Sequence, residues 1–107
     1  MIKTQQVRAL VKELREKVPA LLPVRVYLRN LKGRSPQGWA ELKYGDDGRP
    51  HHFVVVIRNA VLGCMRDTLL HEWAHVIAWR EGHESVCDHD AQWGVAFAQI
   101  YQEIVEP

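Results

Sequence analysis

The chain has 107 residues, of which 47% are hydrophobic and 25% are charged, and its formal net charge is +1. These values are typical of one globular domain and exclude a disordered chain or a protein of two ordinary domains. No segment approaches the roughly 20 apolar residues that a membrane helix requires, so we expect no membrane partner.

The charges are distributed unevenly along the chain. Residues 1–34 contain nine basic and two acidic side chains, whereas residues 35–107 contain five basic and eleven acidic ones. Such an asymmetry is found at nucleic-acid contact surfaces, but a solvated helix face followed by an acidic metal-binding half explains it as well. Cys64 and Cys87 form no CxxC pair, and the early basic residues interrupt any signal peptide. We therefore expect a reducing, cytoplasmic setting with free thiols.

The first half of the chain predicts one helix and three strands. An apolar stripe predicts a helix from Thr4 to Val18, which Pro19 ends. Strict alternation from Val24 to Arg29 predicts a half-buried strand. Turn signals then separate a second strand, residues 37–44, from a third, residues 51–58. Strands joined in this way favour an antiparallel meander.

The second half of the chain predicts two helices. The first should run from Leu62 to Arg80 and stop near Gly82, and Asp88 can cap a last helix that runs to about Val105. The order of these elements indicates a single α+β domain over residues 1–107. Its helices should pack on one face of a three-stranded, mainly antiparallel sheet.

The segment His71-Glu72-Trp73-Ala74-His75 carries the strongest chemical signal. Two histidines four residues apart lie on one face of a helix, where both imidazoles can bind one zinc ion. Glu72 lies one step round the helix, where it can act as a general base on the attacking water. The spacing therefore predicts a zincin-like metal site.

A catalytic zinc needs a third protein ligand, and several side chains after the motif could supply it. The candidates are His83, Glu84, Asp88, His89 and Asp90. A metzincin would place its ligand six residues after His75, following a glycine, but those positions hold Glu81 and Ala78. Glu103 and Glu106 lie too far along the last helix for a thermolysin-like arrangement.

Two segments together resemble the SprT-like zinc metallopeptidase family. Residues 67–75, Asp-Thr-Leu-Leu-His-Glu-Trp-Ala-His, resemble its active-site helix. His89-Asp90-Ala91-Gln92-Trp93, fourteen residues beyond His75, is similar to the family's later His-Gly-x-x-Phe/Trp pattern, with Asp90 in place of the usual small residue. The resemblance extends over about residues 24–105, and it implies a minimal zincin domain with His89 as the third ligand.

The resemblance also implies an activity. The protein would be a zinc-dependent endopeptidase with one Zn²⁺ ion, held by His71, His75 and His89, and Glu72 would be catalytic. The family includes Spartan-type proteases of proteins crosslinked to DNA, which implies protein substrates and a DNA partner. Arg25, Tyr27 and Arg29 on one strand face are compatible with nucleic acid. Two alternatives stay open: a zinc peptidase with a dedicated cytoplasmic substrate, or a non-catalytic module in which zinc is structural.

For the other polar and aromatic side chains, the sequence supports less specific predictions. Asp67, Asp88 or Asp90 could orient a ligating histidine, because such histidines donate their second N–H to a carboxylate or a carbonyl. Candidates for stabilising an oxyanion are Tyr44, Tyr101 and His83. His51 and His52 are predicted to be surface residues. The aromatic residues at helical spacing are expected in the core: Trp73, Trp79, Trp93 and Phe97.

Overall fold

The computed structural model describes residues 3–33, 36–80 and 89–106. In chain order its elements are α1 (Lys3–Lys17), β1 (Val24–Arg29), β2 (Gly38–Tyr44), β3 (Pro50–Arg58), α2 (Leu62–Ala78) and α3 (Ala91–Ile100), and a π-helical turn (Tyr101–Val105) follows. This arrangement confirms the predicted α+β class. Within the described ranges, no helix is long and apolar enough to cross a membrane.

The sheet is mixed, and its strand order is β1-β3-β2. β3 pairs in parallel with β1 and in antiparallel with β2. The predicted meander is therefore wrong in one respect, because β1 pairs with β3 rather than with β2. β3 carries the most apolar run of the three strands, Val54-Val55-Val56-Ile57, which suits the central position. β1 and β2 are left as the two edges.

α2 packs against β2 and β3, α3 packs against α2, and all three helices contribute to one core with the sheet. Phe53, Val55 and Ile57 of β3 alternate toward the helices and are fully buried. Trp73 of α2 is also fully buried, and its indole N–H donates to the carbonyl of Val18 at 2.8 Å. The remaining core residues include Val7, Val11 and Leu14 of α1, with Met65 and Leu69 of α2. The prediction that Trp73 lies in the core is thus confirmed.

A glycine lets α2 approach β2 closely. A Cβ atom on Gly38 would lie 2.6 Å from Cγ2 of Thr68 and 2.8 Å from the carbonyl oxygen of Val56. Both distances are far inside ordinary contact, so only glycine fits between the strand and the helix. The same approach places Glu72 beside the first residue of β2, because the Cβ on Gly38 would lie 3.7 Å from Cγ of Glu72. The close packing therefore positions a motif side chain at the edge of the sheet.

Candidate metal centre

Three histidine side chains converge on one point. α2 carries His71 and His75 on consecutive turns, and His89 approaches them from just before α3. The Nε2 atom of His75 lies 3.3 Å from that of His71 and 3.1 Å from that of His89. The Nε2 atoms of His89 and His71 are 3.0 Å apart. The structure thus brings together the three ligands expected from the sequence.

The spacing of these nitrogens fits a shared metal ion. Tetrahedral ligands at 2.0–2.1 Å from zinc would be roughly 3.3 Å from one another. The observed triangle, with sides from 3.0 to 3.3 Å, is close to this value. Burial of His71 and the neighbouring charge of His89 lower the pKa of His71, which favours the neutral imidazole that a metal requires. The three side chains could therefore hold one metal ion.

The backbone next to His89 is fixed by a helix cap. α3 begins at Ala91, and the Oδ1 atom of Asp90 accepts a hydrogen bond from the backbone N–H of Trp93 at 2.9 Å. Asp90 is therefore the cap of this helix, in place of the predicted Asp88. Asp88 lies outside the described residues, as do the alternative ligands His83 and Glu84. Because Asp90 follows His89 directly, this cap fixes the backbone beside the histidine at the start of α3.

Trp93 forms a wall of the histidine cluster rather than part of the core alone. Its ring centroid lies 5.0 Å from that of His71, 5.6 Å from that of His75 and 4.9 Å from that of His89. Its indole N–H also donates to the carbonyl of His71 at 3.3 Å, and Phe97 stacks on its other side at 5.2 Å. The sequence prediction missed this role. The available signal was the spacing from His89, which places Trp93 on the first turn of α3.

Glu72 lies beside the cluster in an environment that changes its acidity. The residue is only 7% exposed, and burial raises the pKa of its carboxyl to about 7. It lines a cleft of about 350 Å³ between α2 and the start of β2, together with Gln37, Gly38, Asp67, Thr68 and His71. A carboxyl group that titrates near neutrality can both accept and release a proton at ordinary pH. This property suits the general base predicted from the motif.

Several other candidates lie away from the centre. Tyr44 is 60% exposed at the far end of β2, and Tyr101 is 42% exposed in the π-helical turn. His51 and His52 lie near the start of β3, with their Nδ1 atoms 2.8 Å apart, and are not part of the cluster. Cys64 is an exposed free thiol, whereas Cys87 and the oxyanion candidate His83 lie outside the described residues. Of the two predicted orienting carboxylates that lie in the described ranges, Asp67 and Asp90, it is Asp67 that lines the cleft.

The predicted basic and aromatic strand face lies on β1. Arg25 and Arg29 are exposed, and Tyr27 between them is half-buried. The guanidinium carbon of Arg29 lies 4.7 Å from the centroid of the Tyr27 ring. One face of this ring is thus already covered by a cation.

The fold and the centre together define an α+β protein with a three-histidine site and a buried carboxylate beside it. No family model, curated protein or solved structure matches the chain. Its function is therefore argued from the chemistry of the site.

Proposed function

We propose that the protein is a zinc-dependent endopeptidase. The observation that carries the proposal is the convergence of three Nε2 atoms, of His71, His75 and His89, within 3.3 Å of one another beside Glu72. Three neutral imidazoles form a ligand set that suits zinc, and catalytic zinc sites use three protein ligands and an open position. The resemblance to the SprT-like family supports the same assignment.

The roles of the side chains follow from their positions. When bound, zinc would lower the pKa of a water molecule and polarise the scissile carbonyl. Glu72 would accept a proton from the attacking water and deliver it to the leaving amine. Burial raises the pKa of this carboxyl to about 7 in the metal-free protein, and the positive charge of a bound zinc ion would lower it and favour the carboxylate that acts as the base. Trp93 would keep the three imidazoles in place and exclude water from one side of them.

The position of β2 at one edge of the described sheet favours an extended peptide as substrate. The N–H of Arg58 donates to the carbonyl of Gln37, so in this antiparallel ladder Gly38 and Leu42 direct their backbone groups away from β3. An extended chain can pair with these groups as an added strand. Because Gly38 lies against Glu72, the backbone of such a substrate would pass beside the histidine cluster. Backbone pairing also implies little dependence on substrate side chains.

The role of Glu72 is tested by Glu72→Gln, which keeps the shape of the side chain and removes its basicity. We expect the variant to retain zinc and to lose cleavage of an unfolded protein such as casein by at least about a hundredfold. The matched control is Glu41→Gln on β2, whose carboxylate pairs with Lys43 away from the centre. Cleavage by Glu72→Gln at the rate of the wild type would reject the mechanism.

The ligand set is tested by His89→Ala. We expect zinc content after dialysis to fall from about one ion per chain to a small fraction, because two histidines alone bind zinc weakly. His51→Ala is the control, since that imidazole is not part of the cluster. Undiminished zinc in His89→Ala would remove this residue from the site.

The family resemblance supports DNA-associated or DNA-crosslinked proteins as substrates, with DNA as a second partner. Salt-dependent binding of single-stranded DNA by Glu72→Gln would support this class, and no binding at low salt would favour a dedicated protein substrate instead. A zinc ion with four protein ligands would favour the non-catalytic module.

A further inference from the structure

A second groove lies at the opposite edge of the sheet, between α1 and β1. Its volume is about 660 Å³. Its apolar lining comes from Val7 and Val11 of α1 with Val26 and Leu28 of β1, and its charged lining from Arg8, Arg15 and Arg29. No carboxylate is among the described residues that line it. The groove therefore combines an apolar floor with a positively charged rim.

The floor of the groove runs along the open edge of β1. The backbone N–H groups of Phe53 and Asn59 donate to the carbonyls of Pro23 and Arg29. In a parallel ladder with this register, the alternate residues Val24, Val26 and Leu28 direct their backbone groups away from β3. Val26, at the centre, therefore directs both its N–H and its C=O into the groove.

The rim carries positive charge that the described residues do not neutralise. The Arg15 guanidinium donates to the carbonyl of Val24 at 2.6 Å, and the Arg29 guanidinium donates to that of Leu28 at 3.2 Å. In the described part of the chain, the salt bridge on α1 joins Glu13 to Lys17 and includes none of the three arginines. Each guanidinium keeps further N–H donors, which pair best with carboxylates.

We propose that this groove binds an extended acidic peptide segment of a partner protein as a fourth strand on β1. In the bound segment, acidic residues alternate with aliphatic ones. The aliphatic side chains would pack on the valine and leucine floor, the carboxylates would pair with the arginines, and the peptide backbone would pair with Val26. Successive side chains of a strand point to opposite sides, which suits this alternation.

A peptide fits these features better than a nucleic acid. Single-stranded nucleic acids bind through aromatic platforms on which bases stack. The one aromatic residue among the described lining is Tyr27, and one face of its ring already carries the Arg29 guanidinium. The apolar floor has no counterpart in a phosphate backbone, whereas it matches aliphatic side chains. The groove lies on β1, and the histidine centre lies at the opposite edge of the sheet, beside β2. A peptide can therefore occupy the groove without being hydrolysed.

The charge requirement is tested with a short fluorescent peptide in which aspartate and valine alternate. Its binding to full-length Glu72→Gln, which would not cleave it, is followed by fluorescence anisotropy. We expect Arg8→Glu in this background to weaken binding at least about tenfold, because it reverses one charge of the rim. Lys12→Glu, the same charge change one turn further along α1 and outside the groove lining, should change the affinity less than about twofold.

The strand pairing is tested separately with Val26→Pro. The N–H that this change removes points to the open edge, and proline is tolerated at such positions of edge strands. We expect the variant to keep its circular dichroism and to lose peptide binding. The same peptide with N-methylated alternate residues provides a second test that leaves the protein unchanged, and it should not bind.

Four results would overturn the proposal. The first is equal binding of a peptide with asparagine in place of aspartate, and the second is full binding of the N-methylated peptide. The third is tighter binding of a thymidine oligonucleotide that displaces the peptide, which would assign the groove to nucleic acid. The fourth is no binding of either probe, in which case the arginines only protect an edge strand from unwanted pairing.

Discussion

Removing the charge of Glu72 should stabilise the metal-free protein. The carboxyl is 7% exposed, and its pKa rises from an ordinary value of 4.5 to about 7 because burial disfavours the ionised form. If Glu72 were fully buried, this difference between its native and unfolded pKa would destabilise the native state by about 3 kcal/mol at pH 8. The cleft beside Glu72 is open to water, which screens part of the cost, so we expect Glu72→Gln to gain about 1–2 kcal/mol.

The pH dependence has a definite sign. Below pH 4.5 the carboxyl is protonated in both the native and the unfolded state, so the cost is absent. Between pH 4.5 and about 7 the Glu72 carboxyl ionises in the unfolded state but stays largely protonated in the native state, so the destabilisation of the native state grows with pH. Above that range the destabilisation is complete. The stability advantage of Glu72→Gln should therefore be largest at pH 8 and shrink toward pH 5.

Urea unfolding of the chelator-treated proteins measures this effect. The two proteins are compared at pH 8, where the cost of the ionised Glu72 carboxyl is complete, and then at lower pH. Glu41→Gln is the control, and we expect it to be slightly destabilised, since hydrogen bonding to Lys43 lowers the pKa of Glu41. Equal or lower stability of metal-free Glu72→Gln at pH 8 would refute the reasoning.

Three further substitutions test the packing around the centre. Gly38→Ala should destabilise the protein by about 1–3 kcal/mol in urea unfolding, because its methyl group has no room against α2; an unchanged midpoint would contradict the close approach. Trp93→Leu should weaken zinc binding about tenfold in a chelator competition, since the indole contacts the three imidazoles and donates to His71; wild-type affinity would show that it does not position them. Trp73→Phe should cost about 1–3 kcal/mol in thermal unfolding, because it leaves the carbonyl of Val18 without its buried donor, and a neutral effect would contradict that role.

Local patterns predicted the secondary structure well, because each element has its own periodicity. The strand from Val24 to Arg29 has the predicted bounds, and α2 begins at the predicted Leu62. The order of the strands was not predicted correctly, because adjacency along the chain favours pairing of neighbours. Pairing of β1 with β3 depends instead on which strand gains most from burial at the centre of the sheet.

In the candidate centre too, the sequence predicted the residues that are close along the chain better than the contacts between separate elements. His71, Glu72 and His75 lie within one turn or so of a helix, so their spacing alone predicted their proximity. The family resemblance favours His89 over the other candidate ligands, and the structure brings His89 to the same point as His71 and His75. The spacing from His89 places Trp93 on the first turn of α3, but its contact with the three imidazoles also depends on how α3 packs against α2, which the spacing does not give.

The central claim is that three histidines hold a zinc ion that keeps one position open for catalysis. X-ray absorption spectroscopy at the zinc edge, on protein loaded with one equivalent of zinc, tests it most directly. We predict three imidazole nitrogens, counted from the scattering of their rings, and one oxygen ligand at about 2.0–2.1 Å. A sulfur ligand at about 2.3 Å, or four protein ligands that persist when His89 is removed, would contradict the claim.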